Sequence, residues 1–159
     1  MTTKAATGFL ADLRAKRPCS GGLAWAVEHE IASIQEAWTR LPRADWMLWL
    51  AQAFAAELPD EPLREFGRAC ADRAIHVHAV AALRAAGLMA EADRLAALPV
   101  IVDEPTARAA ADAAWAAAGD AAGDARAAAG DAAGAAWAAE LRWQADRLRE
   151  LIPSVEAGA

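Results

Sequence analysis

Residues Ala116 to Arg126 read AAAGDAAGDAR and residues Ala127 to Trp137 read AAAGDAAGAAW, an 11-residue unit written twice without a break. The unit lies inside an alanine-rich run from Thr106 to Ile152 and constrains the chain more than any other stretch. Alanine is the best helix former, so the run reads as helix, although Gly119, Gly123, Gly130 and Gly134 together oppose it by roughly 4 kcal/mol. At about 100° per residue the four glycines fall within about 60° of one another, and Trp137, Leu141, Ala145, Leu148 and Ile152 continue their line. The spacing predicts one packing seam. Gly119, Gly123, Gly130 and Gly134 allow close backbone approach at one end, and Leu141 and Leu148 need a wider gap at the other. A repeat of about 3.67 residues per turn favours a nearly straight path. A single helix of about 46 residues would span roughly 70 Å, so it is expected to serve as a spine, with any bend between Gly119 and Gly134.

The rest of the chain reads as short helices. Of the 159 residues 57% are apolar, there is no Tyr, and β-branched residues are too scattered for a sheet. The expected fold is all-α, a helical bundle of short helices packed along one long C-terminal Ala/Gly-rich helix. A single domain of this length can bury most of the surface its unfolded chain exposes. Within it, residues 1–98 form the short-helix bundle, 99–105 a linker, 106–152 the long helix and 153–159 a frayed tail. The bundle is read as Lys4–Lys16, Leu23–Ile31 capped by Ser20, Ile34–Leu41 opened by Ser33, Arg43–Leu58, Leu63–Leu83 and Leu88–Leu98, with Gly87 as a C-terminal stop. Trp46 to Ala51 is apolar around the whole helix circumference, which places that helix centrally and facing the glycine seam. In the linker PVIVDEP, Asp103 is a cap and Pro105 lies in the first turn of the long helix.

Several chemistries find no support in the residues. The formal net charge of −6 argues against direct nucleic-acid binding. Cys19 and Cys70 resemble no disulfide framework, so a reducing cytoplasm is expected. The N-terminus lacks an apolar signal core, and the longest apolar run, Trp46 to Ala56, is too short to cross a membrane. His76 and His78 are two apart and diverge on a helix, and His29 bears no spacing relation to them, so no metal site is expected. Neither cysteine belongs to a nucleophilic arrangement, and the glycines at helical spacing are not a phosphate-binding loop. No cofactor and no catalytic residue are expected.

The surface offers more. Asp112, Asp120, Asp124 and Asp131 fall within about 120° beside the seam. Such a stripe either keeps an alanine helix soluble or presents a rod of negative charge to a basic groove. Most of the seven tryptophans read as core anchors. Trp143 lies off the seam with Arg142 and Arg147 nearby, which makes these three the candidate contact residues at the C-terminal end.

Three segments, GLAWAVEH at Gly22–His29, AWTRLPRADWMLWLA at Ala37–Ala51 and RWQADRLRELIP at Arg142–Pro153, carry a resemblance when taken with the long Ala/Trp run. Together they resemble a group of alanine-rich bacterial and phage-borne proteins often labelled immunity proteins. RADWMLWLA is the most specific part. The resemblance implies a small helical protein from mobile or phage DNA that works by binding another protein, and it transfers no catalytic motif. The expected function is a non-enzymatic inhibitor of a bacterial defence protein, of the anti-CRISPR kind, or of another nucleic-acid-handling protein. An immunity protein that neutralises a toxin is the alternative, as is a self-associating structural protein, possible as a homodimer. An ice-binding role suits the repeat length but not its Asp and Gly content. The seam makes one prediction. Gly130→Ala is expected to lower the thermal midpoint, whereas on an exposed face the same change would stabilise by about 1 kcal/mol.

Overall fold

A computed structural model describes the backbone of residues 4–121 and 125–158, and the side chains of these except residues 4, 5, 115 and 117–136. Helices α1 (Lys4–Ala15), α2 (Ser20–Glu28), α3 (Ile34–Arg40), α4 (Ala44–Ala53) and α5 (Asp60–Arg73) lead into a π-helical segment, Ala74–Ala79. They are followed by α6 (Val80–Ala85), α7 (Met89–Ala96), α8 (Glu104–Ala121) and α9 (Ala125–Leu151). The fold is all-α, with no strand among the described residues. Where one helix over 106–152 is expected, the described residues give two, α8 and α9, the longer of 27 residues, and residues 122–124 between them lie outside the description. The surroundings of Gly119, Gly123, Gly130 and Gly134 also lie outside it. Among the described residues no helix is long and apolar enough to cross a membrane.

The chain divides into two compact units, Met1–Leu63 with Glu140–Ala159, and Arg64–Ala139. The first is built on α3 and the end of α9. Trp38, the largest fully buried side chain among the described residues, donates its indole N–H to the Ile152 carbonyl at 2.8 Å. In return Arg149 donates from Nε to the Trp38 carbonyl at 3.0 Å and from Nη2 to the Leu41 carbonyl. Each helix thus satisfies carbonyls that the other's C-terminal turn leaves without an intrahelical donor. Leu141, Ala145, Leu148 and Ile152 form the buried stripe of α9 in this unit.

The segment after Pro153, expected to fray, is docked instead. Val155 is 4% exposed, and its N–H donates to Gln35 Oε1 at 2.8 Å. Gly158 donates to the Phe54 carbonyl at 2.9 Å, and a Cβ built on Gly158 would fall 2.2 Å from the Ala55 carbonyl oxygen, so only glycine fits that approach. The tail reads as frayed in sequence because Ser, Glu, Ala and Gly show no periodicity. Its order comes from partners more than 100 positions away.

Local signals set the helix ends. Ser33 Oγ accepts from the Glu36 N–H at 3.1 Å and Glu36 Oε2 accepts from the Ala32 N–H at 2.8 Å, a box that opens α3. Cys19, not Ser20, caps α2, its Sγ accepting from the Gly22 N–H at 3.4 Å. The ends of α2, α4 and α6 share one closure, in which Glu30, Ala55 and Gly87 adopt left-handed φ values of 51°, 50° and 78°. The next N–H then reaches back five residues, as in Ile31 to Ala26, Ala56 to Ala51 and Leu88 to Leu83.

In the second unit Val80, Leu83, Ala92 and Leu95 form a core that Leu88, Leu98 and Ala113 extend. The continuous helix expected over Leu63–Leu83 is interrupted by the π segment, which shifts the helical phase. Cys70 and Ile75, expected in the core, are half-buried. The linker is pinned. Ile101 is buried, and its N–H donates to Asp72 Oδ1 at 3.0 Å. The helix after it starts two residues earlier than expected, at Glu104, with Asp103 Oδ1 accepting from the Thr106 N–H at 2.9 Å.

Arg149→Met is expected to destabilise the protein by about 3 kcal/mol, because it leaves two half-buried carbonyls without donors. Chemical denaturation followed by tryptophan fluorescence measures it, and a cost below about 0.5 kcal/mol would remove Arg149 from its structural role.

Candidate functional site

The residues singled out in the sequence separate into three groups. Asp112 is exposed on α8, one turn beyond Arg108, which itself pairs with Glu104 at 2.6 Å; the three line a shallow surface groove. Asp120, Asp124 and Asp131 lie outside the described side chains. On α9, Arg142 is exposed, Trp143 is half-buried, and Arg147 is half-buried with an ion pair to Glu150 at 2.9 Å.

Among the described residues the exposed tryptophan is Trp137, at 62%, not Trp143. Trp137 was expected on the seam with Leu141. The buried stripe ends between them because the first unit's share of α9 begins at Glu140, and Trp137 lies before it. Glu140 is itself a buried carboxylate, accepting from Gln144 Nε2 at 3.0 Å.

A second site was not foreseen. Within the first unit, α1 to α4 enclose a cavity of about 400 Å³ whose aromatic lining is Trp25, Trp46 and Trp49. Leu13, Leu41 and Leu50 are among its aliphatic lining. The expectation that α4 is buried around its whole circumference is corrected here. Ala44, Met47, Leu50 and Ala51 are buried, while Trp46, Leu48 and Trp49 are only partly so. One flank of α4, carrying Trp46 and Trp49, stays partly open and forms a wall of the cavity.

Local chemistry positions that wall. Gly21 has no Cβ, and one built there would lie 3.4 Å from the Trp46 ring, so the indole rests against the first turn of α2. The guanidinium of Arg43 sits 4.7 Å from the centre of the Trp46 ring. It also grips Asp45 through two parallel hydrogen bonds, Nε to Oδ1 at 3.0 Å and Nη2 to Oδ2 at 2.7 Å. Those bonds hold the Asp45 carboxyl below its ordinary range and push Arg43 up. On the other side His29 stacks on Trp25 with centroids 4.6 Å apart, and its Nδ1 meets the Trp25 carbonyl at 2.8 Å. The third polar group at the cavity is the Cys19 thiol, already engaged as the α2 cap.

His76 and His78 lie in the π segment, and His76 is used structurally, between the Asp72 carboxylate at 3.1 Å and the Leu98 carbonyl at 3.0 Å. Among the described residues no three His, Cys, Asp or Glu side chains converge to hold a metal ion. No protein-family model, curated protein or solved structure matches the chain.

The Arg43–Asp45 pair predicts a pH dependence. The folded-state pKa of Asp45 lies below its ordinary 3.8, so its contribution is complete above that value and is lost as the pH falls through the lowered one. Asp45→Asn is expected to be about 0.5 kcal/mol less stable than the parent near neutral pH, a small effect because the pair is partly exposed and screened. The difference should close as the pH falls through that lowered value. Urea titrations of both proteins across that range measure it, and a constant gap would mean that the charge of Asp45 contributes nothing.

Proposed function

We propose that the protein works by binding and blocking another protein, without chemistry of its own, and that the target presents a basic surface of the kind that handles nucleic acid. The observation that carries this reading is Trp137, an indole 62% exposed on α9 at the end of the alanine-rich repeat. Exposed tryptophans dominate binding energies when a partner desolvates them. The sequence adds Asp120, Asp124 and Asp131 on the same stretch, exposed Asp112, and a net charge of −6, which would steer the chain toward positive partners. Arg142 extends the same helix with an exposed hydrogen-bond donor.

A nucleic-acid-handling target in a bacterium makes this an inhibitor of a defence system, of the anti-CRISPR type, borne by a phage or mobile element and acting in the cytoplasm. The resemblance of GLAWAVEH, RADWMLWLA and RWQADRLRELIP supports that setting. An immunity protein would use the same acidic surface against a basic toxin, and a homodimer would bury Trp137 against a second copy.

Capture of tagged protein on beads from a bacterial lysate at moderate salt, compared with the Asp120→Asn, Asp124→Asn, Asp131→Asn triple variant and with Trp137→Ala, tests the reading. One stoichiometric partner is expected, weakened at least about tenfold by either variant, with the acidic variant also losing its salt dependence. A discrete dimer with no partner, abolished by Trp137→Ala, would replace inhibition by self-association.

A further inference from the structure

The tryptophan-walled cavity in the first unit plays no part in the α8 and α9 surface, and it has the properties of a binding site in its own right. Its volume of about 400 Å³ lies within the range of small-molecule sites. The lining is mainly indole and aliphatic, with Trp25, Trp46 and Trp49 from two helices. No described side chain that lines it leaves a buried polar atom unsatisfied. An occupant is therefore not needed to satisfy a buried side-chain polar atom there.

Charge decides what class of molecule enters. The two ionised groups at the cavity are Arg43 and Asp45, and they neutralise each other through two hydrogen bonds of 3.0 and 2.7 Å. An anion placed there would gain from Arg43 only what it loses to Asp45, and a cation the reverse. Either would also shed its water without an unopposed partner. A neutral ring sheds little and gains the indole faces. Of the two ionised groups, one keeps a donor to offer, beside the indole N–H groups of the lining. Both hydrogen bonds from Arg43 to Asp45 leave from Nε and Nη2, and Nη1 makes no hydrogen bond among the described residues. A neutral acceptor, a carbonyl or hydroxyl oxygen, matches that donor. Cys19 competes little for it, because its sulfur already accepts from the Gly22 N–H.

We infer that the cavity lined by Trp25, Trp46 and Trp49 is a binding site for a small, uncharged aromatic molecule carrying one hydrogen-bond acceptor, which the Arg43–Asp45 pair selects against charged analogues.

Three nearly isosteric probes test the inference: benzamide, benzoate and benzamidinium. Each is titrated into ¹⁵N-labelled protein while the indole N–H resonances are followed, with exposed Trp137 as the internal control. Benzamide is expected to shift Trp25, Trp46 and Trp49 saturably and leave Trp137 in place, with benzoate and benzamidinium at least about tenfold weaker. Asp45→Asn leaves Arg43 unopposed while keeping the side-chain shape, so benzoate should then bind as well as benzamide or better, and benzamidinium worse. Absence of a saturable shift with benzamide would overturn the site. Equal responses to all three probes, or an Asp45→Asn variant with unchanged preference, would overturn the selection by the ion pair. Neither result bears on whether a partner protein binds through Trp137, since that binding is read separately by capture.

Discussion

The first unit depends on two helix C-termini that complete each other. The last carbonyls of α3 and of α9 have no intrahelical donors, and they are buried or half-buried where the helices meet. Trp38 and Arg149 resolve both deficits, the indole N–H serving the Ile152 carbonyl and the guanidinium serving the Trp38 and Leu41 carbonyls. Arginine suits this place because its planar fork serves two acceptors at once, which a lysine ammonium at the same position would do less well. Leu148 and Ala145 on α9 and Trp38 on α3 are all at 0% exposure, so apolar burial and hydrogen bonding act in the same unit.

Once α9 is anchored, its tail and α4 follow. Gln35 on α3 reaches past the helix end, its Oε1 accepting from Val155 and its Nε2 donating to the Pro153 carbonyl at 3.4 Å. That fixes the chain so that Gly158 can come against the end of α4 at Phe54. Phe54 in turn stacks on Phe9 of α1 at 5.4 Å. The tryptophan cavity is the space left among α1 to α4 when bulky indoles meet the small residues of α2 and α3, Gly22, Ala26 and Ala37.

The second unit uses the same device on a smaller scale. The π segment brings His76 against the Asp72 side chain and the Leu98 carbonyl, and Asp72 takes the Ile101 N–H. A stretch that composition marks as a linker becomes a strap held by one carboxylate and one imidazole. A widened helical turn costs hydrogen-bond geometry, and a site that needs a side chain at a shifted phase is where such turns persist.

Much of this was legible in the chain. Alanine content, the caps at Ser33 and Asp103, the stop at Gly87 and the absence of β-forming runs specify helices, because these are short-range effects of propensity and local hydrogen bonding. The spacing of Leu141, Ala145, Leu148 and Ile152 likewise marks one face. Tertiary structure alone decided where that face stops being covered, leaving Trp137 exposed and Trp143 half-buried. It also decided that residues 154–158 are held, that the helix after α5 widens into a π turn, and that Trp25, Trp46 and Trp49 enclose a space rather than fill one. Periodicity reports which side of a helix prefers burial. What lies against that side depends on residues 100 or more positions away, such as Trp38 against Ile152, and no local pattern encodes that distance.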